Sequence, residues 1–261
     1  IPYITPVQDI YPESLHLFFS KQNKITAFVT NVLLSLDKFL LNNAVKIHVI
    51  SQGMLDYLSK SRNIPKSKFD LIYNWSDLDF VKHQNRKKSK YDFVYLGNMG
   101  ELSAVKDLVA MFVLKKFMSI CFGGGGKYKN LIIENSNKYS NIYYQEVPAD
   151  NEVSFLKNGR YAILPVLNSI DNFSIPSKAI AYLGSGLPIV SNLPSSNDLM
   201  KILKFYNCVI QISSINDIVN VNFDNYKYEE MCENALKCHK EVFSLNRNLN
   251  KLMDLLLTNN K

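Results

Sequence analysis

A lysine that follows a proline and a serine at the start of a helix is equipped to hold an anion. The stretch Ser174–Val190 (S-I-P-S-K-A-I-A-Y-L-G-S-G-L-P-I-V) has that arrangement. Pro176 suits a first helical turn, because its missing N–H would have no intrahelical partner there. Ser174 is then the expected N-cap, with Ser177 and Lys178 projecting from the first turn. Ala179 to Leu183 read as a short, mostly buried helix that Gly184 and Gly186 stop. Pro188–Val190 opens a buried strand. Free amides and the positive end of a helix dipole make such a terminus a phosphate or nucleotide site in prospect. The same residues also suit an ordinary helix–cap–strand unit of any α/β protein.

A second place for an anion lies upstream. Asp92–Leu96 reads as a strand, and Gly97-Asn-Met-Gly-Glu101 as its turn into a helix. Gly97 and Gly100 would let backbone amides approach a phosphate, with Asn98 between them. The spacing is not G-x-G-x-x-G, so the turn alone is weak evidence. Gly123–Gly126 ends another apolar strand, 117–122, and has a plain flexible turn as its competing explanation.

The elements that must position these residues alternate. Strands are expected at 3–8, 46–50, 92–96, 117–122, 142–144, 161–165 and from 188. Helices are expected at about 22–41, 54–60, 102–116 and on to about 138. Alternation through 92–212 predicts an open parallel α/β sheet, whose ligand lies at the carboxyl ends of its strands. The loops at 97–101, 123–127, 147–150 and 172–178 would gather there. Beyond about 224 the chain is helical, and Leu245, Leu249, Leu252 and Leu256 are spaced to form one apolar face. His48, between Ile47 and Val49 in a strand, reads as a surface or hydrogen-bonded position rather than a base.

Bulk composition excludes several classes. The chain has 261 residues, 47% hydrophobic and 20% charged, which is globular. Its apolar segment 25–41 is interrupted by Asp37 and Lys38, so it reads as a buried or interfacial helix rather than a membrane span. Four cysteines lack C-x-x-C spacing, and Cys232, Cys238 and His239 lack a second ligand pair for a metal. A reduced, cytoplasmic setting fits. The formal charge is +7, densest over Lys82–Lys90, which suits a solvated linker or contact with anionic headgroups. No aromatic-basic interleaving accompanies that charge, so no nucleic-acid partner is expected. Ile1-Pro-Tyr-Ile-Thr-Pro-Val already reads as the middle of a fold.

Several of these segments together carry a resemblance. P-S-K-x-x-x-Y-L-x-S-G-L-P-I-V, Y-L-G-N-M-G-E at 95–101, V-Q-D-I-Y-P-E-S-L at 7–15, the run from Asn63 to Asp77 that holds I-P and N-W-S-D, and V-P-A-D-N-E at 147–152 resemble family 4 retaining glycosyltransferases of the GT-B fold. The likeness is to the bacterial O-antigen and capsular polysaccharide subgroup, without the start of its N-terminal domain. It implies an α/β protein with a Rossmann-like donor domain at 92–224 and the remaining part of a second such domain at 1–80. It also implies a linker at 81–91 and terminal helices, 225–261, that pack back toward the first domain. The implied reaction moves a sugar from a nucleotide-diphosphate sugar, UDP-linked, to a glycan or polyprenyl-diphosphate-linked acceptor, with retention. The implied setting is cytoplasmic or peripheral on the inner membrane face, without metal or cofactor.

By the same resemblance Lys178 is the catalytic residue. Gly97, Asn98, Gly100, Gly124, Val147, Ser174, Ile175 and Ser177 join it around the donor. Three departures stand out. Where the family often has Arg and Lys for the pyrophosphate, this chain has Asn98 and Ser103, with Lys106 nearby but out of register. Two Glu positions eight apart are Phe173 and Ala181, and Asp171 is shifted. Neither His16 nor His48 sits at a motif matching the family's histidine. A non-catalytic or partner-dependent protein of the same fold, or a GT-B sugar epimerase, therefore remains an alternative.

Overall fold

The computed structural model describes residues 2–13, 24–76, 89–167, 173 and 175–258. The chain forms two compact units. The first holds residues 1–74, 173–175 and 246–261, and the second 75–172 and 176–245. Residues 81–88 of the expected linker, together with Ser174, His16 and Asp171, lie outside the described residues.

In the first unit, β1 (Ile4–Val7), β2 (Lys46–Val49) and β3 (Phe69–Leu71) form a parallel sheet in that order. Helix α1 (Lys24–Asn43) joins β1 to β2, and α2 (Gln52–Arg62) joins β2 to β3. Ser51 caps α2 by accepting from the Met54 amide at 3.0 Å, and Asn63 closes it in the left-handed conformation. Leu41, Ile47, Val49, Met54 and Leu58 make the core. Arg62, 3% exposed, is paired with Glu13 at 2.7 Å and Asp37 at 2.6 Å. His48 is buried, its Nε2 2.9 Å from the Ile72 carbonyl, so it is satisfied as a strand residue.

Helix α1 is not buried, which leaves the second of the two readings of its composition, buried or interfacial. Thr30, Leu34, Asp37 and Leu41 are its more covered positions, while Phe28, Val29, Val32, Leu36, Phe39 and Leu40 are exposed.

In the second unit six parallel strands run in the order β6-β5-β4-β7-β8-β9. They are β4 (Tyr91–Leu96), β5 (Ile120–Gly123), β6 (Ile142–Gln145), β7 (Gly159–Leu164), β8 (Ile189–Ser191) and β9 (Val209–Gln211). Helices α3 (Val105–Leu114), α4 (Lys129–Lys138), α5 (Glu152–Leu156), α6 (Ser177–Gly184) and α7 (Asp198–Phe205) connect them in turn. Counted from β4, this is the 3-2-1-4-5-6 order of the dinucleotide-binding folds, with its reversal between β4 and β7. Phe93, Tyr95, Phe112, Phe122, Tyr161, Ile163 and Val190 fill the core.

Helix α3 is shorter than the expected 102–116. A 3-10 turn covers Glu101–Ser103, and Ala104 at φ +49° interrupts the helical path before Val105.

The C-terminal helices divide between the units. Helix α8 (Tyr228–Cys238) and the π-turn His239–Phe243 belong to the second. Helix α9 (Leu245–Thr258) belongs to the first from Asn246 onward. Its covered line is Asn248, Leu252 and Leu255, whereas Leu249 and Leu256 are exposed. The expected leucine stripe is thus rotated, because a polar Asn248 takes an inward place that hydrophobicity alone would give to leucine.

Candidate functional site

The carboxyl ends of β4 and β7 flank the switch point of the second unit's sheet, and the candidate site is built there. Beyond β4 the chain turns through Gly97–Gly100, and beyond β5 through Gly124–Tyr128. The two turns are laced together. The Gly97 amide donates to the Gly123 carbonyl at 3.1 Å, Met99 N–H to Gly125 at 2.7 Å, and Tyr128 N–H to Met99 at 2.9 Å. Gly124 has φ +109°, and a Cβ there would meet the Gly97 carbonyl oxygen at 2.4 Å. That glycine is required by both conformation and space.

Val147 lies against this platform. A Cβ on Gly123 would fall 2.8 Å from its Cγ2. Asn98 is exposed on the first turn, and a Cβ on Gly126 would come within 2.4 Å of its Oδ1. Ser103 is buried and donates its hydroxyl to the Gly100 carbonyl at 2.6 Å, which shapes the turn. Lys106 lies over the Tyr128 ring, 4.5 Å from its centroid.

Helix α6 follows the long connection after β7. Its N-cap is Pro176 (φ −59°, ψ 124°), not the expected Ser174, and the first helical residue is Ser177. Among the described residues no side chain caps α6; the Ala179 amide donates to the Pro176 carbonyl at 3.0 Å, and the Ser177 and Lys178 amides have no partner there. Ser177 is exposed there, and Ile175 is buried within the segment that groups with the first unit. The helix ends at Gly184, where the Gly186 and Leu187 amides return to the Leu183 and Tyr182 carbonyls.

Lys178 reaches from this first turn to the end of β4. A Cβ on Gly97 would meet its Cε at 3.6 Å and its Nζ at 3.8 Å, so the ammonium overlies the glycine turn. Nζ donates to the Tyr95 hydroxyl at 2.8 Å and lies 4.5 Å from the centre of the Tyr95 ring. Among the described residues no carboxylate forms an ion pair with it. Desolvation pulls its pKa down from 10.5 to about 8. A positive charge held without its counter-ion beside free amides suits an anionic ligand.

Two tyrosines hold this arrangement; both stand in the motifs quoted above, but neither is among the expected site residues. Tyr95 is fully buried, and its hydroxyl donates to the Asn98 carbonyl at 2.7 Å. Burial pushes its pKa up to about 12. Tyr182, also fully buried, accepts from the Leu96 amide at 3.0 Å and donates to the Leu96 carbonyl at 3.1 Å. One signal was available: Lys178 and Tyr182 are four residues apart, hence on one helix face.

The structure therefore brings Gly97, Asn98, Gly100, Gly124, Val147, Ser177 and Lys178 to one end of one sheet. The two family Glu positions do not supply carboxylates. Phe173 stacks on Tyr57 within the first unit at 5.0 Å, and Ala181 lies on α6.

Comparison with solved structures defines the class of fold. Anabaena HepE, solved with UDP-glucose, matches with a TM-score of 0.73 at 12% identity, over 98% of this chain and 72% of that one. The sucrose-phosphate synthase of Thermosynechococcus elongatus matches with a TM-score of 0.72 at 12% identity, over 99% and 68%. The lipopolysaccharide outer core galactosyltransferase WaaB matches less closely, with a TM-score of 0.57 at 16% identity, over 81% and 62%. No protein-family model and no curated protein sequence matches the chain. The chain is an α/β protein with the fold of the GT-B glycosyltransferases.

Proposed function

We propose that the second unit binds a nucleotide-diphosphate sugar, UDP-linked, and that the protein transfers its sugar, with retention, to a growing surface glycan or polyprenyl-diphosphate-linked acceptor. The observation that carries the reading is the uncompensated Lys178 ammonium, suspended over Gly97 at the switch point of the sheet. HepE, solved in complexes with UDP and with UDP-glucose, is the kind of protein the fold resembles, which supports a nucleotide-sugar ligand.

The chemistry follows from charge. As the glycosidic bond breaks, negative charge grows on the departing diphosphate. Lys178 and the amides of Ser177 and Gly100 are preorganised to oppose it, while the Gly97 amide stays committed to the Gly123 carbonyl. Ser177 adds a hydroxyl beside them, Asn98 a neutral polar group, and Val147 with Gly124 an apolar and open side for the nucleoside. Ser174 and Ile175 belong to the approach to α6 in this reading. Neutralisation is assigned to the protein's own groups rather than to a metal ion. Peripheral contact with the cytoplasmic face of a membrane would bring a lipid-linked acceptor near.

A second reading has one observation in its favour. The outward apolar face of α1 in the first unit is what a partner-dependent protein would present.

Calorimetric titration with UDP and then UDP-sugars tests the donor reading. Saturable binding by the wild type that weakens at least about tenfold in Lys178→Ala is expected. No binding by a folded chain would overturn it. Anomeric analysis of a transferred sugar would then test retention.

A further inference from the structure

We infer that Tyr95 is a positioning residue for Lys178, holding the ammonium charged over the glycine turn and tying its place to that turn's backbone. The inference rests on the donor-binding reading above and deepens it. Its basis is geometric. Tyr95 presents its ring to Nζ at 4.5 Å and its hydroxyl oxygen at 2.8 Å, while the same hydroxyl donates to the Asn98 carbonyl at 2.7 Å. One side chain thus links the cation to the turn that would cradle the phosphates.

The linkage is oriented. A hydroxyl has one proton, and the bond to Asn98 uses it, so the oxygen faces Lys178 as an acceptor. An acceptor and the negative face of an aromatic ring both favour the ammonium over the neutral amine. Neither carries a full charge, so the lysine stays charged without a carboxylate that would compete with an incoming diphosphate. A carboxylate at this position would hold the cation more firmly and repel the ligand.

Among the described residues, the elements packed against Lys178 offer little else that titrates. Strand β4 contributes Tyr95, and α6 contributes Tyr182, whose hydroxyl is committed to the backbone of Leu96. The turn 97–100 contributes glycines, Asn98 and Met99. At the rim, Glu101 is paired with Lys127.

Tyr95→Phe keeps the ring in the core and removes the acceptor. UDP affinity, measured by calorimetry from pH 6 to 10 in wild type and variant, is the readout. For wild type, affinity should be level at low pH and fall above about pH 8, where Lys178 loses its proton. In Tyr95→Phe, affinity at pH 7 should drop roughly tenfold and the fall should begin at lower pH. Equal affinity and an unchanged profile would overturn the inference and leave the donor site standing. A uniform loss with the same midpoint would also overturn it, because a merely structural role predicts that result. Failure of the wild type to bind UDP at any pH would remove the donor reading, and this inference with it. A measurement that does not need the variant to fold is the ¹³C titration of the Lys178 Cε in wild type, assigned with Lys178→Met. A midpoint at or above about 8 leaves the ammonium charged at neutral pH, as the inference requires, and a midpoint below about 7 would overturn it.

Discussion

At the scale of single residues, Lys178 ties stability to function with opposite signs. Its folded-state pKa is about 8, below the 10.5 of an exposed lysine, because burial disfavours the charge. Between these values the unfolded chain binds more protons than the folded one, so stability should rise with pH from about 8 toward 10.5. Lys178→Met should abolish that rise. It should also stabilise the unliganded fold by on the order of 1 kcal/mol at pH 7, read by urea unfolding across pH. The same variant should lose UDP binding, since the methionine brings no charge to the phosphates. A variant that binds as before would remove Lys178 from the site. Arg62 in the first unit follows the opposite logic. Burial raises the Glu13 pKa, but hydrogen bonds from Arg62 and Tyr57 outweigh it, so the net shift is downward. Glu13 therefore contributes stability above its unfolded value, lost as the pH falls through the folded one. Arg62→Ala, which leaves Glu13 and Asp37 without their shared partner, should cost about 3 kcal/mol and flatten the acid limb of the stability curve.

At the scale of elements, the two glycine turns act as one platform, and Gly124 is the point where that can be tested. A Cβ there would press on the Gly97 carbonyl in a backbone conformation that disfavours any side chain. Gly124→Ala should cost about 2–4 kcal/mol and cut UDP binding, whereas Gly125→Ala should leave both nearly unchanged. A Cβ on Gly125 would meet nothing within 4 Å. Thermal melts and calorimetry of the pair provide the comparison, and equal behaviour would refute the platform. Much of this level was legible in the sequence. The alternation of strands and helices announced a parallel sheet, the glycines marked its carboxyl ends, and Pro176 placed the start of α6 within a residue. The cap itself was misread, because Pro176 takes an extended ψ and stands outside the helix instead of opening it. The inward faces of α1 and α9 were also hidden. Periodicity reports that a helix has an apolar stripe, but packing decides which stripe is covered. Tyr95 was overlooked because a tyrosine inside an apolar strand reads as core. Only the fold reveals that its hydroxyl emerges beneath Lys178.

At the scale of the whole molecule, the exposed face of α1 separates the buried from the interfacial reading of its composition. Phe28 and Phe39 are 69% and 64% exposed; Val29, Val32 and Leu36 lie between them on the same helix, and Leu40 follows. Contiguous apolar surface of this kind drives association in water, at about 25 cal/mol for each Å² covered. The first unit's stability does not depend on these side chains, since its core is made by Leu41, Ile47, Val49, Met54 and Leu58. Replacing Phe28, Leu36 and Phe39 together by serine should therefore leave the unfolding transition within about 1 kcal/mol of wild type, because exposed apolar groups contribute little to the folded chain. The same change should raise the concentration at which the protein self-associates by at least about tenfold in sedimentation velocity. A net charge of +7 repels copies of the chain from one another, so association seen at physiological salt must be driven by such a surface. If the triple variant instead unfolds several kcal/mol more easily, α1 packs inward through these residues. If it folds normally and associates as before, the sticky surface lies elsewhere on the molecule.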